Sequence, residues 1–301
     1  NYMLIISTEK LPEECKRLLK NVKDEFSEED LERADIIMLW PSQIRTILPK
    51  AKSLKVIQCF TAGVDGIPFE ILPKDVVVFS NAGAYSVPVA EHAFALIMTL
   101  AKGIGKKERI VVPYLLSGKT LLVLGGGGIG SEVARIGKTA FNMYVIGISR
   151  SFKKPEFFDE KYDLDKLKDV ISRADYIVDA LPLNKFTRGI LNYDVLSRTK
   201  ENCVIVNVGR GETIVEDDIY RILKERKGLR FGTDVFWRKD GTEDFNSKLW
   251  ELENFTGTPH TAGAYGNEAV KIHAITEACK NVYRYITTGK AENKIRIEEY
   301  I

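Results

Sequence analysis

Cysteine, histidine and tryptophan are scarce in this chain of 301 residues, with four, three and three copies. The four cysteines, Cys15, Cys59, Cys203 and Cys279, include no CxxC pair, and no two histidines are spaced as metal ligands. A metal centre is therefore not expected. Cys59 and Cys203 lie inside apolar runs, where a buried, reduced thiol is the natural state. An excess of either charge is missing too: 44 Lys and Arg against 42 Asp and Glu leave a net charge of +2. That balance removes any electrostatic case for nucleic acid or an anionic membrane surface. Long apolar runs are also absent. The longest, Ala93 to Ala101, ends at Lys102, far short of the roughly 20 residues that span a bilayer. Leu4, Ile5 and Ile6 are too few for the core of a signal peptide. A cytoplasmic protein without a membrane or nucleic-acid partner is the expectation.

What the chain does have is alternation. Short β-branched runs and helical patterns follow one another, which predicts parallel α/β structure. Strands are expected at Met3–Ser7, Asp35–Leu39, Lys55–Phe60 and Val76–Ser80. A second series falls at Thr120–Leu124, Met143–Ile148, Tyr176–Ala180, Cys203–Asn207 and Leu229–Asp234. Helices fit at Glu91–Lys102, Ile129–Phe141, Asp165–Ser172, Asp217–Arg226 and Glu268–Thr288. The length suits two domains. The last helix has no strand series left to join, so it is expected to pack back on the N-terminal region. The prediction is a discontinuous domain, residues 1–85 with 267–301, and a second domain, residues 86–266.

The run from Thr120 to Gly130, TLLVLGGGGIG, places Gly125, Gly127 and Gly130 at GxGxxG spacing between a strand and an amphipathic helix. In a dinucleotide site such glycines allow a tight turn, close approach to the pyrophosphate, and helix-on-strand packing. The helix start, at Gly128 and Ile129, offers its N–H groups and dipole to the phosphates. An NAD site wants a carboxylate about 20 residues further on. Here the second strand ends instead in Ser149-Arg150-Ser151. A hydroxyl and a guanidinium suit a 2′-phosphate, so NADP is favoured, with NAD as the alternative.

These and further motifs together resemble the D-isomer-specific 2-hydroxyacid dehydrogenase family over nearly the whole chain. The motifs are Ala62-Gly63-Val64-Asp65, Asn81-Ala82-Gly83, Val89-Ala90-Glu91-His92, the glycine loop, and Leu181-Pro182-Leu183 with Thr187. Asn207-Val208-Gly209-Arg210-Gly211, Asp234-Val235-Phe236, Thr258-Pro259-His260 and the terminal Glu298-Glu299-Tyr300-Ile301 complete the set. The resemblance implies an α/β protein of two parallel-sheet domains, a Rossmann cofactor domain and a smaller flavodoxin-like catalytic domain. It implies hydride transfer between a nicotinamide cofactor and a small 2-oxo or 2-hydroxy acid, in a homodimer.

Arg210 follows a buried strand at the end where open α/β sheets place ligands, and a guanidinium there can pair with a carboxylate and polarise a carbonyl. His260 is a natural proton donor to the alkoxide. The resemblance gives both residues these roles, and it gives Ala62, Gly63 and Val64 the substrate carboxylate. It sets Asp234 toward the nicotinamide carboxamide, Val208 and Gly209 along the ring, and Leu181, Pro182 and Thr187 beside the cofactor. His92 and His273 read as packing or surface residues.

Two departures from the family pattern stand out. Five residues after Asp234, where the family carries a glutamate that pairs with the catalytic histidine, this chain has Lys239. Asp240, one residue later, is the expected substitute, with Glu243 and Asp244 further off. Without a carboxylate, the charged form of His260 would lose its stabilisation, and a cofactor-binding protein with little turnover becomes the rival reading. The second departure is a short segment between Lys102 and Gly118, where the family has its dimer-contacting stretch.

Overall fold

A computed structural model describes residues 2–301. The chain opens with β1 (Ile5–Ser7), α1 (Glu13–Leu18), β2 (Val22–Lys23), α2 (Glu28–Arg33), β3 (Ile36–Leu39), α3 (Ile44–Ile47), β4 (Val56–Cys59) and β5 (Val77–Phe79). It continues with α4 (Ser86–Lys102), β6 (Thr120–Leu124), α5 (Gly128–Phe141), β7 (Tyr144–Ile148), β8 (Glu160–Tyr162), α6 (Leu167–Val170) and β9 (Tyr176–Asp179). Then come α7 (Tyr193–Ser197), β10 (Val204–Asn207), α8 (Glu216–Glu225), β11 (Arg230–Thr233), β12 (Arg238–Lys239), β13 (Thr242–Glu243), β14 (Phe255–Gly257) and α9 (Glu268–Thr288). Two units result: Asn1–Tyr85 with Gly266–Ile301, and Ser86–Tyr265.

The first unit is a parallel sheet in the order β2-β1-β3-β4-β5, the flavodoxin-like arrangement. Its central strands are buried and largely apolar because both faces are covered. Ile6, Ile37, Leu39, Ile57 and Val78 join one buried cluster, while Ile5, Ile36, Met38, Val56 and Phe79 join another. The second cluster is closed by Ile275, Ala278, Cys279 and Val282 of α9 and by Cys15 and Leu19. A buried amide chain pins the helix, with Asn281 Nδ2 donating to Gln58 Oε1 at 2.9 Å. Cys15 and Cys279 form a disulfide across this seam, and Cys59 and Cys203 are free and buried. A link between residues so far apart in sequence restricts the unfolded chain strongly, contributing about 2–5 kcal/mol.

The second unit is a seven-stranded parallel sheet in the order β14-β11-β10-β9-β6-β7-β8. It is doubly wound, with the strand order reversing at β6. Leu122, Leu124, Ile146, Ile148, Ile177, Ile205 and Phe231 line one buried cluster. The helix expected over Asp165–Ser172 is only one four-residue α-turn, α6, between 3-10 turns. Helix α4 begins at Ser86, five residues before the expected start, with Pro88 in its first turn, where a missing N–H breaks no bond. Strands β2, β8 and β14 are two or three residues long and carry no apolar run of their own. The short segment after α4 is anchored by Arg230, which donates to the Leu100 and Val112 carbonyls at 2.9 and 2.7 Å and lies over the Tyr114 ring.

Candidate active site

Most of the residues singled out in the second unit lie just beyond the C-terminal end of a strand. Gly125 follows β6, Ser149 follows β7, Leu181 follows β9, Val208 to Arg210 follow β10, Asp234 follows β11, and His260 lies beyond β14. Open α/β sheets bind ligands at this edge, beside the strand where the order reverses. Here that strand is β6, and the glycine loop leaves it directly.

The loop fits a dinucleotide by the shape it keeps. A Cβ on Gly125 would lie 2.6 Å from the Ala180 carbonyl oxygen, and one on Gly130 only 1.7 Å from the oxygen of Gly125, so both positions require glycine for packing. Gly127 differs. It is exposed, with nothing within 4 Å of where its Cβ would stand, and it is the N-cap of α5 with no side-chain cap. The helix start thus presents backbone N–H groups to open space, as a pyrophosphate needs. After β7, the turn carrying Ser149, Arg150 and Ser151 lies against this loop, where a Cβ on Gly126 would meet the Ser151 carbonyl oxygen at 2.4 Å. Lys153 N donates to the Gly126 oxygen at 2.8 Å. Thr187 is buried, and its hydroxyl donates to the Pro182 carbonyl at 2.6 Å, so it shapes the Leu181–Pro182 turn from behind.

Arg210 stands on a turn that hydrogen bonds hold at both ends. Asn207 Nδ2 donates to the Arg210 carbonyl at 2.8 Å, and Gly209 N donates to Asn207 Oδ1 at 3.0 Å. The guanidinium donates to the Gly209 carbonyl at 2.9 Å.

His260 has a carboxylate partner, and it is Glu243, whose Oε1 pairs with the ring Nδ1. The expectation of Asp240 in that place is incorrect. Asp240 and Gly241, with φ of 54° and 82°, form the two-residue turn between β12 and β13. This pairs Arg238 with Glu243 and leaves Asp240 exposed at the tip. The carboxylate reaches His260 from the returning strand, three residues later than expected. Lys239 does not face the histidine either, since its Nζ pairs with Asp244 at 3.1 Å. Burial raises the Glu243 carboxyl, but the His260 hydrogen bond and charge, the Phe236 amide and the Arg210 charge outweigh it and hold the group below the ordinary glutamate value. Glu243 therefore feels both the histidine and the arginine.

The backbone of His260 is left-handed, with φ of 54°, a conformation most side chains avoid. Asp234 enforces it. Its carbonyl accepts the His260 amide at 2.8 Å, Oδ1 accepts the Thr261 amide and the Thr258 hydroxyl, both at 2.7 Å, and Oδ2 accepts the Ala262 amide at 3.0 Å. Three of roughly four acceptor positions on the carboxylate are thus used by the histidine loop. His92 Nε2 lies 2.7 Å from the Thr258 oxygen. Thr258 spends its one hydrogen on Asp234, so the imidazole donates. The place of His92 at the start of an apolar helix predicts a packing or surface residue, and the contact with a loop 166 residues later leaves no mark in the sequence.

In the first unit, the loop of Ala62, Gly63 and Val64 follows β4. Thr61 Oγ1 donates to the Gly63 carbonyl at 2.8 Å, and Asn81 braces the loop by donating to the Phe60 carbonyl at 2.9 Å and, through its amide, to Thr61 O at 2.8 Å.

Comparison with known proteins agrees with these motifs. A family model described as D-isomer specific 2-hydroxyacid dehydrogenase, NAD binding domain, matches residues 90–262. The chain is 30% identical over 273 residues to a hydroxypyruvate reductase of Thermotoga maritima, covering 83% of this chain and 88% of that one. It is 27% identical over 266 residues to a glyoxylate reductase of Pyrococcus furiosus, covering 82% and 76%. Among solved structures, a provisionally assigned formate dehydrogenase from Pyrobaculum aerophilum superposes with a TM-score of 0.82 at 34% identity, covering 99% of this chain and all of that one.

Proposed function

This chain belongs to the D-isomer-specific 2-hydroxyacid dehydrogenase family, and from that premise we propose that it reduces a small 2-oxo acid such as glyoxylate or hydroxypyruvate with NADPH, and oxidises a D-2-hydroxy acid such as D-glycerate in reverse. The observation that carries this reading is the His260–Glu243 pair with Arg210 acting on the same carboxylate. A nicotinamide bound at the glycine loop would supply or accept the hydride at C2 of the acid. Arg210 holds the substrate carboxylate with two N–H groups and polarises the neighbouring carbonyl. His260, with Nδ1 engaged by Glu243, gives the proton on Nε2 to the oxygen as it gains charge. Glu243 offsets the positive ring, and Asp234 keeps it aimed. In the first unit, the backbone amides of Ala62, Gly63 and Val64 are the donors we propose for a carboxylate. Gly125, Gly127, Gly128, Ile129 and Gly130 cradle the pyrophosphate, with Leu181, Pro182, Val208 and Gly209 beside the nicotinamide half.

Formate as hydride donor is the second reading, favoured by the likeness to the Pyrobaculum chain. Formate becomes carbon dioxide on losing hydride, with no proton moved at oxygen, so the His260–Glu243 pair would be idle in that reaction. Steady-state rates separate the readings. NADPH consumption with glyoxylate or hydroxypyruvate, and no NADP reduction by formate, is expected. Turnover of formate alone would overturn the proposal, and binding of NADPH without turnover of any acid would favour a cofactor-binding protein with little turnover.

Support for NADPH is the turn Ser149-Arg150-Ser151 against the glycine loop, continued by Lys153 and Lys154, with no carboxylate in it. Charge-assisted hydrogen bonds of roughly 1.5–3 kcal/mol correspond to a preference on the order of tenfold to a hundredfold over NADH. Arg150→Ala is expected to remove most of it, read as the ratio of the two dissociation constants by fluorescence titration. Equal affinities in the unmutated protein would refute the preference.

Ile104, Ile110, Val112 and Leu115 expose apolar surface on the segment after α4, which supports a homodimer formed there. Its mass in sedimentation equilibrium is the check. No helix among the described residues is long and apolar enough to cross a membrane. A cytoplasmic location remains our proposal.

A further inference from the structure

Asp179 ends β9 with no exposed surface, and none of the chemistry above uses it. Its Oδ1 accepts the Leu181 amide at 3.1 Å and its Oδ2 the Thr213 hydroxyl at 2.5 Å. The same Thr213 oxygen lies 3.0 Å from the Arg210 carbonyl oxygen. A hydroxyl has one hydrogen, so Thr213 serves the carboxylate or the Arg210 carbonyl, but not both. With Asp179 ionised the hydrogen points to the charge, which makes the stronger bond. With Asp179 protonated, its own O–H donates to Thr213, and the Thr213 hydrogen turns to Arg210. The segment allows no slack, because a Cβ on Gly209 would lie 2.6 Å from the Leu181 carbonyl oxygen.

We propose that Asp179 and Thr213 form a proton-dependent positioning pair, which steadies the Arg210 turn by the direction of one hydroxyl hydrogen and so tunes affinity for the substrate carboxylate. This rests on Arg210 binding that carboxylate, as argued above. Burial raises the Asp179 carboxyl to about 6, with the Thr213 hydroxyl and Leu181 amide pulling the other way. Its strand neighbours in register, Leu124 and Asn207, are uncharged. The charged residues on the adjoining turn are Arg210, whose guanidinium donates to the Gly209 carbonyl, and Glu212, whose carboxylate accepts the Arg238 amide.

The test has two arms. In the 15N-labelled protein, the amide signals of Leu181 and of Gly209 to Thr213 are expected to titrate together near pH 6. Thr213→Ser should retain this, whereas in Thr213→Val the Leu181 amide, bonded directly to Asp179, should still titrate while the signals of Gly209 to residue 213 lose their response. This arm needs no turnover, so it stands apart from the functional reading. In the second arm, KM for the 2-oxo acid rises roughly threefold to tenfold between about pH 5 and pH 7.5, the worth of one neutral hydrogen bond. Asp179→Asn copies the protonated carboxyl, donating to Thr213 and accepting from Leu181, so its KM should stay at the low, acid-side value at both pH values. Amide signals that do not titrate, or an Asn variant that keeps the unmutated KM profile, would overturn the pair. If no 2-oxo acid is turned over while the signals still titrate, only the functional reading fails.

Discussion

Replacing Glu243 with glutamine is expected to lower kcat/KM for 2-oxo acid reduction by on the order of a hundredfold or more at about pH 7.5. Glutamine preserves shape and can still accept from Nδ1–H, but it removes the negative charge beside His260. Asp240→Asn and Lys239→Glu should change the rate less than about twofold, since the first lies exposed at a hairpin tip and the second is paired with Asp244. The comparison is sharp because the alternatives are neighbours in sequence. If Asp240→Asn were the damaging substitution, the hairpin register would be wrong and Glu243 would lose its role. His260→Gln should abolish most of the remaining rate, since the ring that gives the proton is then gone.

Arg210→Lys is the second large effect. A lysine keeps the charge but offers a point where the guanidinium offers a planar fork, so it cannot hold a carboxylate and polarise the adjacent carbonyl together. The expected loss in kcat/KM is on the order of 10²–10³-fold, comparable to removing one donor to a developing oxyanion. It should appear in both KM and kcat, while the dissociation constant for NADPH stays within about twofold. A variant with full activity would take Arg210 out of the site.

Much of this was legible because strand and loop chemistry are local. Buried parallel strands read as apolar runs, and GxGxxG between strand and helix has one main use, so the sheet of the second unit and its glycine loop could be placed from residues alone. The partner of His260 differs from the expected Asp240 because the family's five-residue spacing from Asp234 does not carry over to this chain's hairpin. Asp240-Gly241 between Arg238-Lys239 and Thr242-Glu243 is a hairpin signal that folds the intervening residues away and brings Glu243 back. Contacts between distant segments left no such mark. Cys15 and Cys279 stand 264 residues apart, His92 meets Thr258 across most of the unit, and Asp179 reaches Thr213 only because β9 and β10 are neighbours in the sheet. Strands β2, β8 and β14 leave no mark in the sequence because their pairing comes from sheet neighbours rather than from their own side chains.

The central claim is that hydride passes between a nicotinamide and C2 of a 2-oxo acid. It is tested most directly by incubating the protein with NADPH carrying deuterium at both C4 positions, together with glyoxylate, and examining the products by mass spectrometry and NMR. The account predicts glycolate bearing one deuterium on C2, formed in step with NADP, and none of it formed by the Arg210→Lys, His260→Gln double variant. NADPH that is bound but not consumed, with glyoxylate and hydroxypyruvate both recovered unchanged, would contradict it.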